Sequence, residues 1–278
     1  MPSPIYLNLD DAIDALGFES LDLRRWGPIL RYHGTRKAVD EFWREIELKL
    51  TAFTLYGSGD FHYLAGVLLR KVTEPVTLIS FDNHPDWDIR PPYWACGGWV
   101  NRALEMPNVL QASIWGCGNF ELRFPSRLFA NHRALKSGKL QVNAWAERQP
   151  AAVATRFNCM TRDNWRTRFE SFAKSLESQR AYVTVDLDCL ADSEIITNWE
   201  NGLFTIGDIS WALDTLHTHT KVIGGDMCGA YSIPAYARWL QRLAGNWDHP
   251  KLPPIDIAVA RQKNLATIQT LWSHLKRA

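Results

Sequence analysis

Three short segments of the chain place aspartate and histidine residues close together. Each of them, "GSGDFH", "DNHPDWD" and "DLD", directly follows an apolar run. If they meet, four carboxylates at ~4 Å would repel one another by ~4 kcal/mol per pair at an effective dielectric of ~20. Either several of them are protonated or a positive charge lies among them, and two divalent ions would remove the repulsion. Oxygen donors with two imidazoles and no thiolate favour Mn2+, with Fe2+, Ni2+ or Co2+ as alternatives. The candidate metal ligands are His62, Asp82, His84, Asp86, Asp186 and Asp188.

Each segment alone also has an ordinary explanation. "GSGDFH" could be a turn before a helix, and "DNHPDWD" could be a surface loop, because Asp, Asn and Pro all favour turns. "DLD" is shorter and carries less information. Three such segments after three predicted strands are better explained by a metal site than by three unrelated turns.

The elements that must position these residues are predicted from apolar runs. Continuous runs predict strands that are buried on both faces, and segments of helical spacing lie between them. This alternation predicts one α/β domain over residues 1–278, a three-layer α/β/α fold with a mainly parallel central sheet. Ligands bind at the carboxyl ends of the strands in such sheets, and alternate residues of an extended segment point the same way. The predicted strands are 51–56, 76–81, 109–115, 140–145, 181–185, 221–225 and 255–260, and the predicted helices are 39–50, 60–71, 163–177, 207–217, 233–244 and 262–276.

Composition narrows the class of protein. The 278 residues are 46% hydrophobic and 22% charged, with a net charge of +1, which gives no electrostatic reason to expect nucleic acid or an anionic membrane as partner. The five cysteines form no Cys-x-x-Cys pair, which disfavours a disulfide framework. The first residues carry an acidic pair rather than the basic start of a secretory signal, and no apolar run is long enough to span a membrane. We therefore expect a cytoplasmic protein with a small-molecule substrate, and leave open whether it forms a homo-oligomer.

The order Gly-x-Gly-Asp-x-His, Asp-x-His-x-Asp and Asp-x-Asp resembles the arginase/agmatinase (ureohydrolase) superfamily, of which this chain would be a divergent member. The resemblance covers about residues 51 to 235. It implies a single-domain three-layer fold and a binuclear Mn2+ centre whose bridging hydroxide cleaves a guanidino or related amidine C–N bond. On this resemblance Asp82 and Asp186 bridge the ions, and Asp86 also orients the hydroxide. His62 and Asp86 would complete one ion's ligands, and His84 and Asp188 the other's.

The chain departs from the family pattern at positions that matter for chemistry. Phe61 is inserted before His62. Cys96 stands in the segment where the family has a proton-shuttle histidine. Cys228 and Gly229 stand where the family has a carboxylate that pairs with guanidinium. A buried guanidinium without a partner would cost several kcal/mol, so arginine and agmatine are not the expected substrates.

Cys96 has two interpretations. It is either a neutral thiol near the metals that donates a proton to a leaving amine, or a small packing residue, as most free cysteines are. The tryptophans Trp87, Trp94 and Trp99 are expected to wall the pocket.

Three functions follow from these observations. The leading hypothesis is a metal-dependent hydrolase of a non-peptide C–N bond (amidine, guanidino or amide). Within the same class, a deacetylase-type amide hydrolysis is the second interpretation. The third, from another class, is a catalytically silent arginase-like protein that binds a metal or a metabolite.

Overall fold

A computed structural model describes residues 5–13 and 18–277. Over these residues the chain forms ten strands and ten α-helices. The strands are β1 Ile5–Asn8, β2 Glu19–Asp22, β3 His33–Gly34, β4 Phe53–Tyr56, β5 Val76–Phe81, β6 Trp94–Ala95, β7 Val109–Cys117, β8 Leu140–Ala144, β9 Arg180–Asp186 and β10 Lys221–Cys228. The helices are α1 Gly27–Leu30, α2 Arg36–Ile46, α3 Leu64–Leu68, α4 Trp99–Leu104, α5 His132–Lys136, α6 Ala151–Arg156, α7 Trp165–Ser175, α8 Ile206–His219, α9 Trp239–Asp248 and α10 Ile257–Leu275.

Eight strands form one sheet in the order β2-β1-β4-β10-β9-β5-β7-β8. Every neighbouring pair in it is parallel. The short strands β3 and β6 pair separately as an antiparallel ribbon. The order places β4, β9 and β5 near the centre, with β10 between β4 and β9, so the segments after these strands meet at one edge.

Helices cover both faces of the sheet. Buried side chains of α2, α3 and α4 pack on one face, and those of α7, α8 and α10 pack on the other. Successive strand residues alternate between the two cores: Tyr182 of β9 belongs to the first and Val183 to the second. The predicted three-layer α/β/α arrangement is confirmed.

The structure corrects the predicted strand over 255–260. This segment is the start of α10, because the carboxylate of Asp256 accepts hydrogen bonds from the backbone N–H groups of Ala258 and Val259 and caps the helix. The strands β1 and β2 were not predicted, since each is only four residues long and β2 is a largely exposed edge strand. The predicted helix over 60–71 is interrupted, and only α3 is α-helical within it.

Among the described helices, none has both the length and the apolar character needed to cross a membrane.

Candidate metal centre

The six residues predicted as metal ligands lie together at one edge of the central sheet. They end or follow β4, β5 and β9, whose carboxyl ends meet there because the strands run parallel. Their side chains line one cavity of about 30 Å³, together with Cys96. A cavity of this size holds an ion or a water molecule but no organic substrate. The six are His62, Asp82, His84, Asp86, Asp186 and Asp188.

The segment after β5 reaches the cavity by a route that differs from the predicted one. The chain bends at 83–84 instead of continuing as an extended segment. Asp86 then has a φ of 46°, in the left-handed region that is costly for a residue with a side chain. The indole Nε1 of Trp99 donates a hydrogen bond of 2.5 Å to Asp86 Oδ2. Asp82, His84 and Asp86 therefore converge through a strained loop and not through strand alternation.

A short turn absorbs the inserted Phe61 and positions His62. Residues Gly59–Phe61 form one 3-10 turn, and the side chain of Phe61 packs into the core. The neighbouring carboxylate of Asp60 forms a salt bridge with Arg31, with 2.6 Å between Arg31 Nε and Asp60 Oδ2. The insertion therefore leaves His62, and not Asp60, at the cavity.

The carboxylate of Asp82 stands between the two imidazoles. Its Oδ2 lies 3.0 Å from His62 Nδ1, and its Oδ1 lies 3.5 Å from His84 Nδ1. Asp86 Oδ2 is 3.3 Å from His62 Nδ1, and Asp188 Oδ2 is 2.9 Å from His84 Nδ1. Asp82 belongs to two groups of potential ligand atoms, each with its atoms within 4.8 Å of one another. One group includes His62 and Asp86, and the other includes His84 and Asp188.

Asp186 presents one oxygen to the His62 side of the cavity. Its Oδ2 lies 3.4 Å from His62 Nδ1 and 3.5 Å from Cys228 Sγ. Its Oδ1 accepts a hydrogen bond of 3.2 Å from the backbone N–H of Asp188. In this geometry the oxygen of Asp186 that is free of backbone contacts is directed toward His62.

The ring nitrogen of His62 that faces the cavity supports a metal ion as the missing partner. Within the described residues, Nδ1 of this buried side chain makes no hydrogen bond. The other nitrogen, Nε2, lies 3.0 Å from Thr184 Oγ1, and that hydroxyl donates its one proton to Asp226 at 2.6 Å. Thr184 can therefore only accept from His62, so a ring proton stays on Nε2, and Nδ1 is the nitrogen whose lone pair becomes available when a metal displaces its proton. A buried lone pair among carboxylates fits a divalent cation.

His84 is oriented in the same way by a carboxylate. Glu200 Oε2 lies 3.3 Å from His84 Nε2, where it can accept the ring proton. Nδ1 of His84 then faces Asp82 and Asp188. Both imidazoles thus offer the same nitrogen to the cavity, and each is supported from behind by an acceptor, as is common for metal-binding histidines.

Burial and the crowding of carboxylates shift the pKa values of this cluster toward the protonated forms. Burial would lower the pKa of His62, but the carboxylates of Asp82 and Asp86 outweigh it and raise that pKa well above its usual range. Burial and then the charge of Asp188 raise the pKa of Asp186. Burial and then the charge of Asp82 raise the pKa of Asp86 to about 7. Without a metal these groups retain protons, so a divalent ion must compete with protons for the site.

We expect Thr184→Val to weaken Mn2+ binding by roughly 10–100-fold, the usual cost of losing a group that orients a metal ligand. The substitution preserves shape but removes the hydroxyl that holds His62 Nε2. Isothermal titration of metal-free protein with Mn2+ measures the effect. Thr184→Ser is the matched control and should stay near wild type, and equal losses in both variants would contradict the role given to the hydroxyl.

The aromatic wall of the cavity differs from the predicted one. Trp99 touches the site through Asp86, but Trp87 and Trp94 are buried in the core and do not line the cavity. The ring of Trp94 packs inward because Gly66 of α3 leaves room for it: a Cβ there would lie 3.1 Å from that ring. Trp199, which the sequence analysis did not single out, lines the cavity instead.

Sequence analysis also did not identify three acidic residues near the site. Glu121 and Asp248 line the cavity, and Glu200 contacts His84. An adjoining cleft of about 600 Å³ shares Cys96, Glu121 and Asp248 with the cavity and has room for a small molecule. Glu121 follows β7, so inspecting the residues after every apolar run would have found it. Asp248 ends α9, and no local sequence signal marks it.

No protein-family profile matches the sequence. A 176-residue segment is 23% identical to an uncharacterized protein from Thermotoga maritima, and covers 63% of this chain and 57% of that protein. The chain thus matches little more than half the length of this relative.

Solved structures give a broader match. Proclavaminate amidino hydrolase from Streptomyces clavuligerus superposes with a TM-score of 0.57 and 14% identity, over 95% of this chain and 92% of that one. Arginase from Medicago truncatula gives a TM-score of 0.56 and 14% identity, over 99% and 86%. A formiminoglutamase variant from Trypanosoma cruzi, solved with Mn2+, gives a TM-score of 0.54 and 12% identity, over 98% of this chain and 91% of that one. The chain therefore has the arginase-like fold of these structures.

Proposed function

We propose that the protein is a binuclear metal-dependent hydrolase that cleaves a non-peptide C–N bond (amidine, guanidino or amide) in a small molecule. The observation that carries this proposal is the pair of ligand groups that share Asp82. The names of the similar structures, an amidino hydrolase and an arginase among them, support the same reaction class. When bound, a pair of divalent ions such as Mn2+ would activate water and polarise the scissile group.

Two side chains near the ions would transfer the protons of the reaction. Asp86 is held by Trp99 and has a raised pKa near neutrality, so it can orient a polar hydrogen at the reacting centre and accept its proton. Cys96 lies where the cavity and the substrate cleft meet. Burial and then the charge of Asp86 raise the pKa of the Cys96 thiol, which stays neutral and can donate a proton to a leaving amine.

The turn after β10 limits which substrate can bind. Gly229 has a φ of 106°, and a Cβ added there would lie 2.3 Å from Asp186 Oδ1 and 2.6 Å from the backbone nitrogen of Leu187. This position has no room for a carboxylate side chain that could pair with a guanidinium. The substrate is therefore a group that does not depend on a carboxylate at position 229.

We expect Mn2+-loaded protein to release no urea above background from arginine or agmatine, because the pairing carboxylate is absent. Colorimetric urea assays measure this directly. A screen of amidines, guanidino compounds and amides by mass spectrometry, with and without Mn2+, then tests the reaction class. Turnover of arginine would contradict the expectation and direct attention to Glu121 and Asp248, which Glu121→Gln and Asp248→Asn would separate.

We expect Cys96→Ala and Cys96→Ser to keep their bound metal but to lower turnover of the screened substrate by roughly 10²-fold, the contribution of one general acid. Cys96→His should restore part of the rate, since imidazole can also donate a proton. Cys159→Ser, which changes a half-buried thiol outside the cavity, is the control. Unchanged rates in both Cys96 variants would assign this residue to packing.

The second candidate is a silent metal-binding or metabolite-binding protein, favoured by the absence of a carboxylate at Gly229. It predicts tight Mn2+ binding and ligand-induced thermal shifts without product formation in the same screen. Metal-dependent turnover of any member of the screen would exclude it.

A further inference from the structure

Cys228 lies within reach of the same metal position as His62. It is the last residue of β10, which runs between β4 and β9, and its side chain is fully buried. Its Sγ is 3.5 Å from Asp186 Oδ2. The ligand atoms of His62, Asp186 and Cys228 all lie within 4.8 Å of one another. Cys228 is therefore part of a compact nitrogen, oxygen and sulfur group.

Two of the three distances in this group agree with those expected around a tetrahedral ion. An ion bonded to nitrogen at about 2.05 Å, to oxygen at about 2.1 Å and to sulfur at about 2.3 Å separates nitrogen from oxygen by about 3.4 Å and sulfur from oxygen by about 3.6 Å. The corresponding distances are 3.4 Å from His62 Nδ1 to Asp186 Oδ2 and 3.5 Å from Cys228 Sγ to that same oxygen. The carboxylate of Asp82, 3.0 Å from the same nitrogen, can supply a fourth ligand.

A second observation points to a ligand at this place. Nδ1 of His62, which is 1% exposed, has no hydrogen-bond partner among the described residues and is directed into the group. The Cys228 thiol can reach only one of the group's atoms by a hydrogen bond, Asp186 Oδ2. A thiophilic cation would satisfy the lone pair of His62 and the sulfur of Cys228 together.

We infer that the Cys228 thiolate is a ligand of the ion on the His62 side, and that this position selects a thiophilic divalent ion such as Zn2+, Co2+ or Fe2+. The inference rests on the binuclear centre proposed above. The other position, formed by Asp82, His84 and Asp188, contains only nitrogen and oxygen donors and suits Mn2+. The two positions therefore differ in metal preference, and the centre holds two different metals when both are available.

Cobalt absorption tests this assignment without relying on activity. Metal-free protein titrated with Co2+ should develop a near-ultraviolet sulfur-to-cobalt charge-transfer band that saturates at about one equivalent per chain, while visible ligand-field bands follow total binding. Cys228→Ser and Cys228→Asp should lose the charge-transfer band. Cys228→Asp should still bind about two Co2+ ions, because aspartate replaces the thiolate with another anionic ligand. Cys96→Ser and Cys159→Ser should keep the band.

Competition between Zn2+ and Mn2+ gives an independent measurement. The preference of the metal position on the His62 side for Zn2+ over Mn2+ should fall by roughly 10–100-fold in Cys228→Asp. Ligand-field bands in the wild type without a charge-transfer band would overturn the Cys228 assignment and leave the proposed binuclear centre intact. A charge-transfer band that survives in Cys228→Ser would also overturn it. Failure of the wild type to bind any Co2+, Zn2+ or Mn2+ would overturn both proposals.

Discussion

Asp82→Ala should abolish the binuclear centre, with metal content falling from about two ions per chain to well below one and turnover falling by at least roughly 10³-fold. The reason is geometric: the two oxygens of Asp82 face different imidazoles, so its loss removes a ligand from both positions. Asp188→Ala should be milder and keep about one ion, because Asp188 belongs to only one ligand group. Asp186→Ala should lose more than Asp188→Ala if Asp186 contributes to both ions.

Metal analysis by mass spectrometry after loading with Mn2+ and desalting measures these contents. Asp163→Ala, which removes an exposed carboxylate, is the control and should match wild type. Circular dichroism establishes that each variant is folded. Equal metal contents in Asp82→Ala and Asp188→Ala would refute the bridging position of Asp82, and full occupancy in Asp82→Ala would refute the whole ligand assignment.

Metal-free protein should become less stable as the pH rises from 6 to 8, whereas Mn2+-loaded protein should become more stable. The pKa of Asp186 is raised in the folded state by burial and by Asp188. A carboxyl of this kind destabilises the fold as pH rises above its unfolded pKa of about 4, by up to about 1.4 kcal/mol per pH unit. His62 has a raised pKa as well, so its contribution to stability is present below about 6.5 and is lost at higher pH. Both groups therefore act in the same direction when no metal is bound.

Mn2+ reverses the sign because it replaces protons, so that its binding strengthens as the pH rises. Urea unfolding at pH 6 and pH 8, with EDTA or with Mn2+, measures the four free energies of unfolding. Other buried carboxyls with raised pKa, such as Asp10 and Asp226, contribute equally with EDTA and with Mn2+. The difference between the EDTA and Mn2+ free energies of unfolding therefore reports on the cluster. Asp186→Asn should reduce the pH dependence of the metal-free protein, and Asp163→Asn should not. A metal-free protein that is equally stable at both pH values would contradict the charge distribution described here.

Local patterns predicted most of the central sheet. The run 76–81 coincides with β5, and the runs 109–115, 140–145, 181–185 and 221–225 begin at or within one residue of the strands found. Buried parallel strands can be recognised in a sequence as continuous apolar runs, because both of their faces need apolar side chains. The capping box of Thr205 and Asp208 at the start of α8 is local in the same sense, since both of its hydrogen bonds join residues three positions apart.

The prediction failed where long-range contacts decide the structure. The apolar run over 255–260 is equally compatible with a strand and with a helix. It becomes a helix because Asp256 caps its first turn and because α10 packs against α8. The edge strand β2 has few buried side chains, so its sequence carries little signal. The expectation that Trp94 walls the pocket is wrong because its ring packs against Gly66 of α3, a contact that spacing along the chain does not encode.

The kinds of donor atoms and the strand ends that bring them together can be read from residue type and local periodicity. Which donor faces which depends on contacts between elements that are far apart along the chain. The Thr184 and Asp226 contacts that set the proton of His62 join segments distant in sequence, and so does the approach of Cys228 to Asp186. Metal selectivity depends on separations of a few tenths of an ångström between such segments, and packing of the whole sheet sets those separations.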